Sequence, residues 1–428
     1  MANMTSLNYF DYTEKTVLLR VDINSPIDQK TKKIINDNRI KKSLPTIKTL
    51  IKRRAKIVLI AHQGDTLDYQ NLTSLREHAK KLGDYLNTPV SYVDDVAGPA
   101  AQEKVKALKP GDIVLLGNLR YLSEENSTFE NNVKLKPGEM LETYLVRGLS
   151  PIIDYYINDA FAAAHRNAPS MVAFQEIKPT AAGQLLSDEI AALDKIMLAP
   201  EHPSIFVLGG AKISDAFGTM EHVLASGTAD RILTCGITGE VMLLAAGYRL
   251  GKTKERFLKD RELDVFIERS KNYLKDYREK IRMPLDLAYS VNGKRQEIAI
   301  GDLPAEHMFM DIGSQTIAAY KTEIMGAKTL FVNGPAGKYE EPQFEQSTQV
   351  IWKAIAASAG YSVIGGGDTV TAAEKFLDLK DIDYVCTAGG AMVRYLSGKK
   401  LPLIEAMEKA YARDIRRKQP ITDSEIKS

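Results

Sequence analysis

The chain has 428 residues, enough for two or three domains or two large ones. Its 57 Lys and Arg nearly balance 55 Asp and Glu, leaving a formal net charge of +2, so no global basic field directs it to nucleic acid or an anionic membrane. Hydrophobic residues make up 44% and charged residues 26%, far from a disordered composition, and Cys235 and Cys386 have neither zinc spacing nor the density of a disulfide scaffold.

The N-terminal stretch carries Asp11 and Glu14 and no apolar signal-like region, and no run of about 18 apolar residues follows anywhere. The chain therefore reads as a cytoplasmic protein with no membrane span. Nothing in the sequence sets its oligomeric state, and the expectation is a monomer or a small homo-oligomer.

Short β-branched or leucine-rich runs recur along the chain, each closed by glycine or a polar residue before a longer stretch of helical period. In the first part they cover residues 16–21, 56–61, 113–116 and 155–157. In the second they cover 204–208, 231–233, 328–332, 362–364 and 384–385. Strands alternating with helices predict the α/β class with doubly wound parallel sheets. Between the two series, residues 185–199 place Leu186, Ile190, Leu193 and Met197 at helical spacing with Pro200 and Pro203 just beyond. This predicts a helix joining two lobes that face a cleft, with domains at 1–184 and 200–404. The last residues, 405–428, form a C-terminal segment that can pack back on the first domain. Its charged end from Tyr411 is expected to be a fraying helix.

Open α/β sheets bind ligands at the carboxyl ends of their strands, and those ends are polar here. The first run leads to Asp22 and Asn24, and Arg39 opens a helical segment. The second run ends at His62-Gln63-Gly64, the third leads to Asn118 and Arg120, and the fourth to Asn158-Asp159 with His165 and Arg166 after it. Guanidinium forks suit phosphate and carboxylate oxygens, and clustered cations are tolerated when an anion visits. A local ion pair explains any one of these arginines, but explains three at strand ends less well.

The second half places glycine where phosphates need backbone N–H groups. Its strands open into Gly209-Gly210-Ala211-Lys212, into Asn333-Gly334-Pro335 with Glu340 beyond, into Gly365-Gly366-Gly367-Asp368-Thr369, and into Ala388-Gly389-Gly390. Asp368 suits either a helix cap or a magnesium ion carried in by a nucleotide. Gly247 to Thr253 resembles a phosphate-binding loop but is one residue short and follows a helical segment, so it reads as a helix end followed by a basic turn. No serine-hydrolase elbow or zinc-protease pair occurs.

Taken together, Leu19 to Asn24, Arg39 with Ser43 to Ile47, Asn158 to Phe161 with Ala164-His165-Arg166, Gly209 to Lys212, Asn333 to Pro335 and Gly365 to Asp368 resemble phosphoglycerate kinase, from around Ser6 to around Met407. His62-Gln63-Gly64, and Ala216 where a second lysine is expected, resemble the archaeal branch.

The resemblance implies phosphoryl exchange between 1,3-bisphosphoglycerate and Mg-ADP, giving 3-phosphoglycerate and ATP. It assigns the glycerate to Asp22 and Asn24, and the 3-phosphate end to His62, Arg120 and Arg166. Gln63, Gly64, Asp65 and His165 also line that side. Arg39 and Lys212 would act on the moving phosphoryl. Gly210, Lys212, Asn333, Glu340 and Gly365 to Thr369, including Gly366 and Gly367, would bind ATP or ADP, with Glu340 at the ribose and Asp368 at Mg2+. The first domain would then be the phosphoglycerate-binding one and the second the nucleotide-binding one.

Four features depart from the family pattern: Asp65 where a basic residue is expected, Gly117 for a glutamate, Thr387-Ala388-Gly389 where a third glycine is expected, and Cys235 to Thr238 for a glycine-rich turn. Asp65 motivates an alternative acceptor, a different small carboxylate. A non-catalytic nucleotide-binding protein of the same fold is a further alternative, opposed by the presence of both Arg39 and Lys212.

Overall fold

A computed structural model describes residues 2–28, 30–64 and 72–416. Its contacts divide the chain into two compact units, Met1–Ile190 with Lys400–Ser428, and Ala191–Lys399. The dividing line falls inside the helix Gln184–Met197.

The first unit holds six strands, β1 Thr16–Val21, β2 Lys56–Ile60, β3 Val90–Tyr92, β4 Ile113–Leu115, β5 Tyr155–Asp159 and β6 Thr180–Ala182. They form one parallel sheet in the order β3-β4-β2-β1-β5-β6. Central β1 reads TVLLRV and is buried almost throughout, as a strand covered by helices on both faces must be. The chain winds outward from β1 through β2, then returns to place β5 on the other side of β1, so connections diverge between β1 and β5 and leave a crevice at their carboxyl ends. The helix Pro402–Arg416 belongs to this unit. Leu403 N–H donates to the Ala164 carbonyl at 3.2 Å and Thr180 N–H to the Asp414 carboxylate at 3.2 Å. Of the expected fraying end, Tyr411 to Arg416 continue this helix, and residues 417–428 lie outside the described residues.

The second unit repeats the plan. Strands β7 Ser204–Leu208, β8 Arg231–Thr234, β9 Ile281–Arg282, β13 Thr329–Asn333, β14 Tyr361–Ile364 and β15 Tyr384–Val385 form a parallel sheet ordered β15-β14-β13-β7-β8-β9. Its divergence point lies between β7 and β13. A second, three-stranded antiparallel sheet joins β10 Asp286–Val291, β11 Lys294–Ala299 and β12 Phe309–Ile312. The sequence reading does not anticipate this sheet. Its hairpin turns at Asn292 and Gly293, both at positive φ (50° and 76°), as a two-residue loop between right-twisted strands requires. Among the described residues no helix is long and apolar enough to cross a membrane.

Candidate active site

In the first unit the carboxyl ends of β1, β2, β4 and β5 surround a cavity of about 660 Å3. Asp22, Asn24, Arg39, His62, Gln63, Gly64, Arg120, His165 and Arg166 all line it. Asp65 lies outside the described residues. Asn118 holds the rim together: its side-chain oxygen accepts from Gln63 and Arg120 N–H groups at 3.1 Å, and its amide donates to the carbonyls of Gln63 and Thr73 at 2.9 Å. Gln63 turns out to be structural in its side chain. Its amide pairs with both backbone groups of Ser25, at 2.9 and 3.0 Å, and its oxygen faces His78 Nε2 at 3.0 Å. These contacts fix the loop that carries Asp22 and Asn24, whose own side-chain oxygen accepts from Gly64 N–H at 3.1 Å.

Arg39, the second residue of the helix Asn38–Lys52, reaches Asp22 with Nη1 at 3.0 and 3.2 Å from the two carboxylate oxygens. Arg166 donates from Nε to Glu130 at 2.5 Å, while its buried Nη2 has no hydrogen-bond partner among the described residues. Arg120 Nη1 donates to the Glu125 carbonyl. Burial, then the charges of Arg20, Arg120, Arg39 and Arg166, hold the His62 imidazole well below its ordinary pKa, so it is neutral at physiological pH. Arg20 Nη2 lies 2.8 Å from His62 Nδ1. A guanidinium only donates, so Nδ1 accepts and the ring proton sits on Nε2.

The reading of the sequence misses Arg20, Glu125, Ser170 and Glu130. Buried Glu125 accepts from Ser170 N–H and Oγ, both at 2.6 Å, and burial raises its carboxyl above the usual range. The available signal is the arginine itself, a charge inside an apolar strand buried on both faces.

In the second unit, the ends of β7 and β13 are tied together by Gly209 N–H to the Asn333 carbonyl at 2.9 Å and Gly210 N–H to the Pro335 carbonyl at 2.8 Å. Gly334 sits at φ 89°, and a Cβ there would stand 2.2 Å from the Gly209 oxygen, so only glycine fits. Gly210, Lys212, Asn333, Gly366, Gly367, Asp368 and Thr369 line a cavity of about 220 Å3, joined by Asp215, Gly389 and Gly390. The helix Gly367–Phe376 starts at its wall and aims its N-terminal N–H groups there. Asp368 is not the cap: Gly366 holds that position, and Asp368 lies in the first turn with its Oδ2 3.4 Å from Lys212 Nζ. Thr369 Oγ1 accepts from Gly334 N–H at 2.8 Å, locking helix to turn. Gly365 packs against Met392 rather than lining the cavity, and Glu340 lines a neighbouring cavity of about 410 Å3.

The loop-like stretch at Gly247 to Thr253 is no phosphate site. The Lys252 and Thr253 N–H groups that open the helix Lys252–Asp260 already donate to Glu306, at 3.0 and 3.1 Å. Gly117 has a steric reason in the structure, since a Cβ would stand 3.1 Å from the Asp95 backbone.

The family model described as phosphoglycerate kinase matches residues 7–399. A phosphoglycerate kinase of Methanothermus fervidus is 42% identical over 413 residues, covering 96% of this chain and 99% of that protein. One from Pyrococcus abyssi is 41% identical, covering 95% and 98%. Among solved structures, the crystal structure of phosphoglycerate kinase from Pyrococcus horikoshii OT3 matches with a TM-score of 0.86 at 38% identity, covering 96% of this chain and 100% of that one. The structure of the Coxiella burnetii enzyme matches at 0.80 and 29% identity, covering 95% and 99%. With its two switch-point sites and these similarities over nearly its whole length, the chain belongs to the phosphoglycerate kinase family, phosphotransferases with a carboxyl group as acceptor.

Proposed function

We propose that this chain catalyses reversible phosphoryl transfer from 1,3-bisphosphoglycerate to Mg-ADP, giving 3-phosphoglycerate and ATP. The observation that carries the reading is the first unit's cavity, where Arg39, Arg120, Arg166 and a neutral His62 stand with Asp22, the one carboxylate among the described residues that line it. That arrangement suits a small polyanion with a hydroxyl group. Asp22 and Asn24 accept and donate hydrogen bonds to the glycerate, and Arg120, the open Nη2 of Arg166 and the Nε2–H of His62 take its phosphate.

Phosphoryl transfer in the direction of 1,3-bisphosphoglycerate forms a bond between a carboxylate oxygen and the γ-phosphorus while the bond to the ADP oxygen breaks. No covalent intermediate on the protein is needed, so the chain's work is positioning and charge compensation. Arg39 meets the transferring group from the glycerate side and Lys212 from the nucleotide side. The glycine turns and the N-terminus of the helix Gly367–Phe376 hold the remaining phosphates.

Among the described residues no group of three or more His, Cys, Asp or Glu stands together as a metal site. The exposed Asp368 carboxylate at the glycine turn, in a cavity that Asp215 also lines, fits an ion that arrives on the phosphates and needs one or two carboxylates. Asp368 would hold magnesium there, and the bound ion would neutralise phosphate charge. Lys212, its partner in this structure, would then turn to the transferring phosphoryl.

The test is an acceptor panel with Mg-ATP. 3-Phosphoglycerate should release ADP far faster than glycerate, phosphoglycolate or acetate. Equal or faster release with an acceptor lacking the phosphate would replace the proposed acceptor with another small carboxylate.

A further inference from the structure

The cavity of about 410 Å3 in the second unit shares Gly210, Ala211 and Pro335 with the phosphate cradle, so a nucleotide held there would place its base in it. Phe257, Leu287, Met308, Met310 and Ile312 give it an apolar lining. Set into that lining is an ion pair, Glu240 Oε1 to Lys254 Nζ at 2.8 Å, with side chains only 6% and 4% exposed. Lys254 also donates to the Phe309 carbonyl at 3.0 Å. Glu240 Oε2, by contrast, is buried without a hydrogen-bond partner among the described residues.

A buried pair with one oxygen left open is costly, because the desolvated acceptor has lost water and gained no donor. A ligand that brings one N–H to this point would remove that cost. Resting on the nucleotide reading above, we infer that Glu240, steadied by Lys254, selects a 6-aminopurine: its open carboxylate oxygen accepts a hydrogen bond from the exocyclic amino group. A 6-oxopurine in the same pose sets a carbonyl oxygen against the carboxylate oxygen, and a purine with hydrogen at that carbon leaves the acceptor unmet. A site built to receive an N–H discriminates against an analogue that lacks it. The pair thus acts on specificity, while the phosphates set the bulk of the affinity.

The experiment is calorimetric titration of the wild-type protein with ADP, IDP and purine riboside 5′-diphosphate, which needs no turnover. ADP should bind at least about tenfold tighter than either analogue. In Glu240→Leu/Lys254→Met, which replaces the pair by apolar groups, the gap should fall below about threefold. In Glu240→Gln, whose amide can donate to a 6-oxo group, IDP should gain on ADP. Equal binding of the three ligands by wild type, or a gap unchanged in both variants, overturns the inference and leaves the proposed function standing. Failure of the folded wild-type protein to bind any of them overturns both.

Discussion

Removing Arg39 should separate two effects that the structure places on one guanidinium. Arg39 is about one-third exposed and lies 3.0 Å from Asp22, which is 4% exposed. As a preorganised donor to the transferring phosphoryl it should contribute about 3 kcal/mol at the transition state, or roughly two orders of magnitude in kcat. As the neutraliser of Asp22 it has a second role. Without it the buried carboxylate faces an anionic substrate, and two like charges about 6 Å apart at an effective dielectric of about 20 repel by about 3 kcal/mol. Arg39→Ala should therefore lower kcat at least a hundredfold and raise the KM for 3-phosphoglycerate as well, by roughly the same factor at most. Asp22→Asn/Arg39→Ala keeps a hydrogen-bonding oxygen at position 22 but removes its charge. In a coupled steady-state assay this double variant should regain much of the KM loss and none of the kcat loss. Recovery of kcat in the double variant would show that Arg39 only neutralises Asp22, and near wild-type turnover in the single variant would remove it from the mechanism.

Three further outcomes follow from the structure. Asp159 is fully buried at the end of β5 and burial raises its carboxyl from 3.8 to about 6, so the folded state retains a proton that the unfolded state has lost. Its contribution to stability is present below about pH 4 and is lost as pH rises through about 6, a swing of about 3 kcal/mol at most. Relative to wild type, Asp159→Asn should thus be more stable against urea at pH 7.5 than at pH 4.5, and an equal difference at both would contradict the buried charge. Thr369→Val leaves the Gly334 N–H without its acceptor at 2.8 Å, costing about 1–3 kcal/mol; it should lower the Tm and raise the nucleotide KM, with the KM for 3-phosphoglycerate unmoved. Asp65→Arg should change 3-phosphoglycerate binding by less than about threefold, because three guanidiniums already line the cavity; a tightening of tenfold or more would favour an acceptor without that phosphate.

The strand ends were legible because two demands coincide there. A strand covered on both faces must be apolar, so the first polar or glycine residue after it marks both the strand's end and the ligand crevice. Asp22, His62 and Gly209 stand at such points, and Asn333 is the polar residue that closes its own strand. Strands β3, β6 and β9 read only VSY, TAA and IR, without the apolar run that marks the equally short β4, which reads IVL. The antiparallel sheet was hidden for another reason: β11 reads KRQEIA, largely exposed and polar, and only its Asn292-Gly293 turn announces it. Side-chain commitments were the least visible. Gln63 sits in a site motif, yet its amide is bound to Ser25 and His78, while Arg20 looks like a strand residue and sets the tautomer of His62. Spacing identifies who is near the site, but the partners that fix each group come from elements distant in sequence.

The most direct measurement is ATP formation by the purified chain from enzymatically generated 1,3-bisphosphoglycerate and Mg-ADP. The wild type should form ATP and 3-phosphoglycerate in equal amounts, with Arg39→Ala and Lys212→Ala each slower by at least about a hundredfold. Folded protein that binds ADP and 3-phosphoglycerate but forms no ATP would contradict the assignment and leave a binding protein in its place.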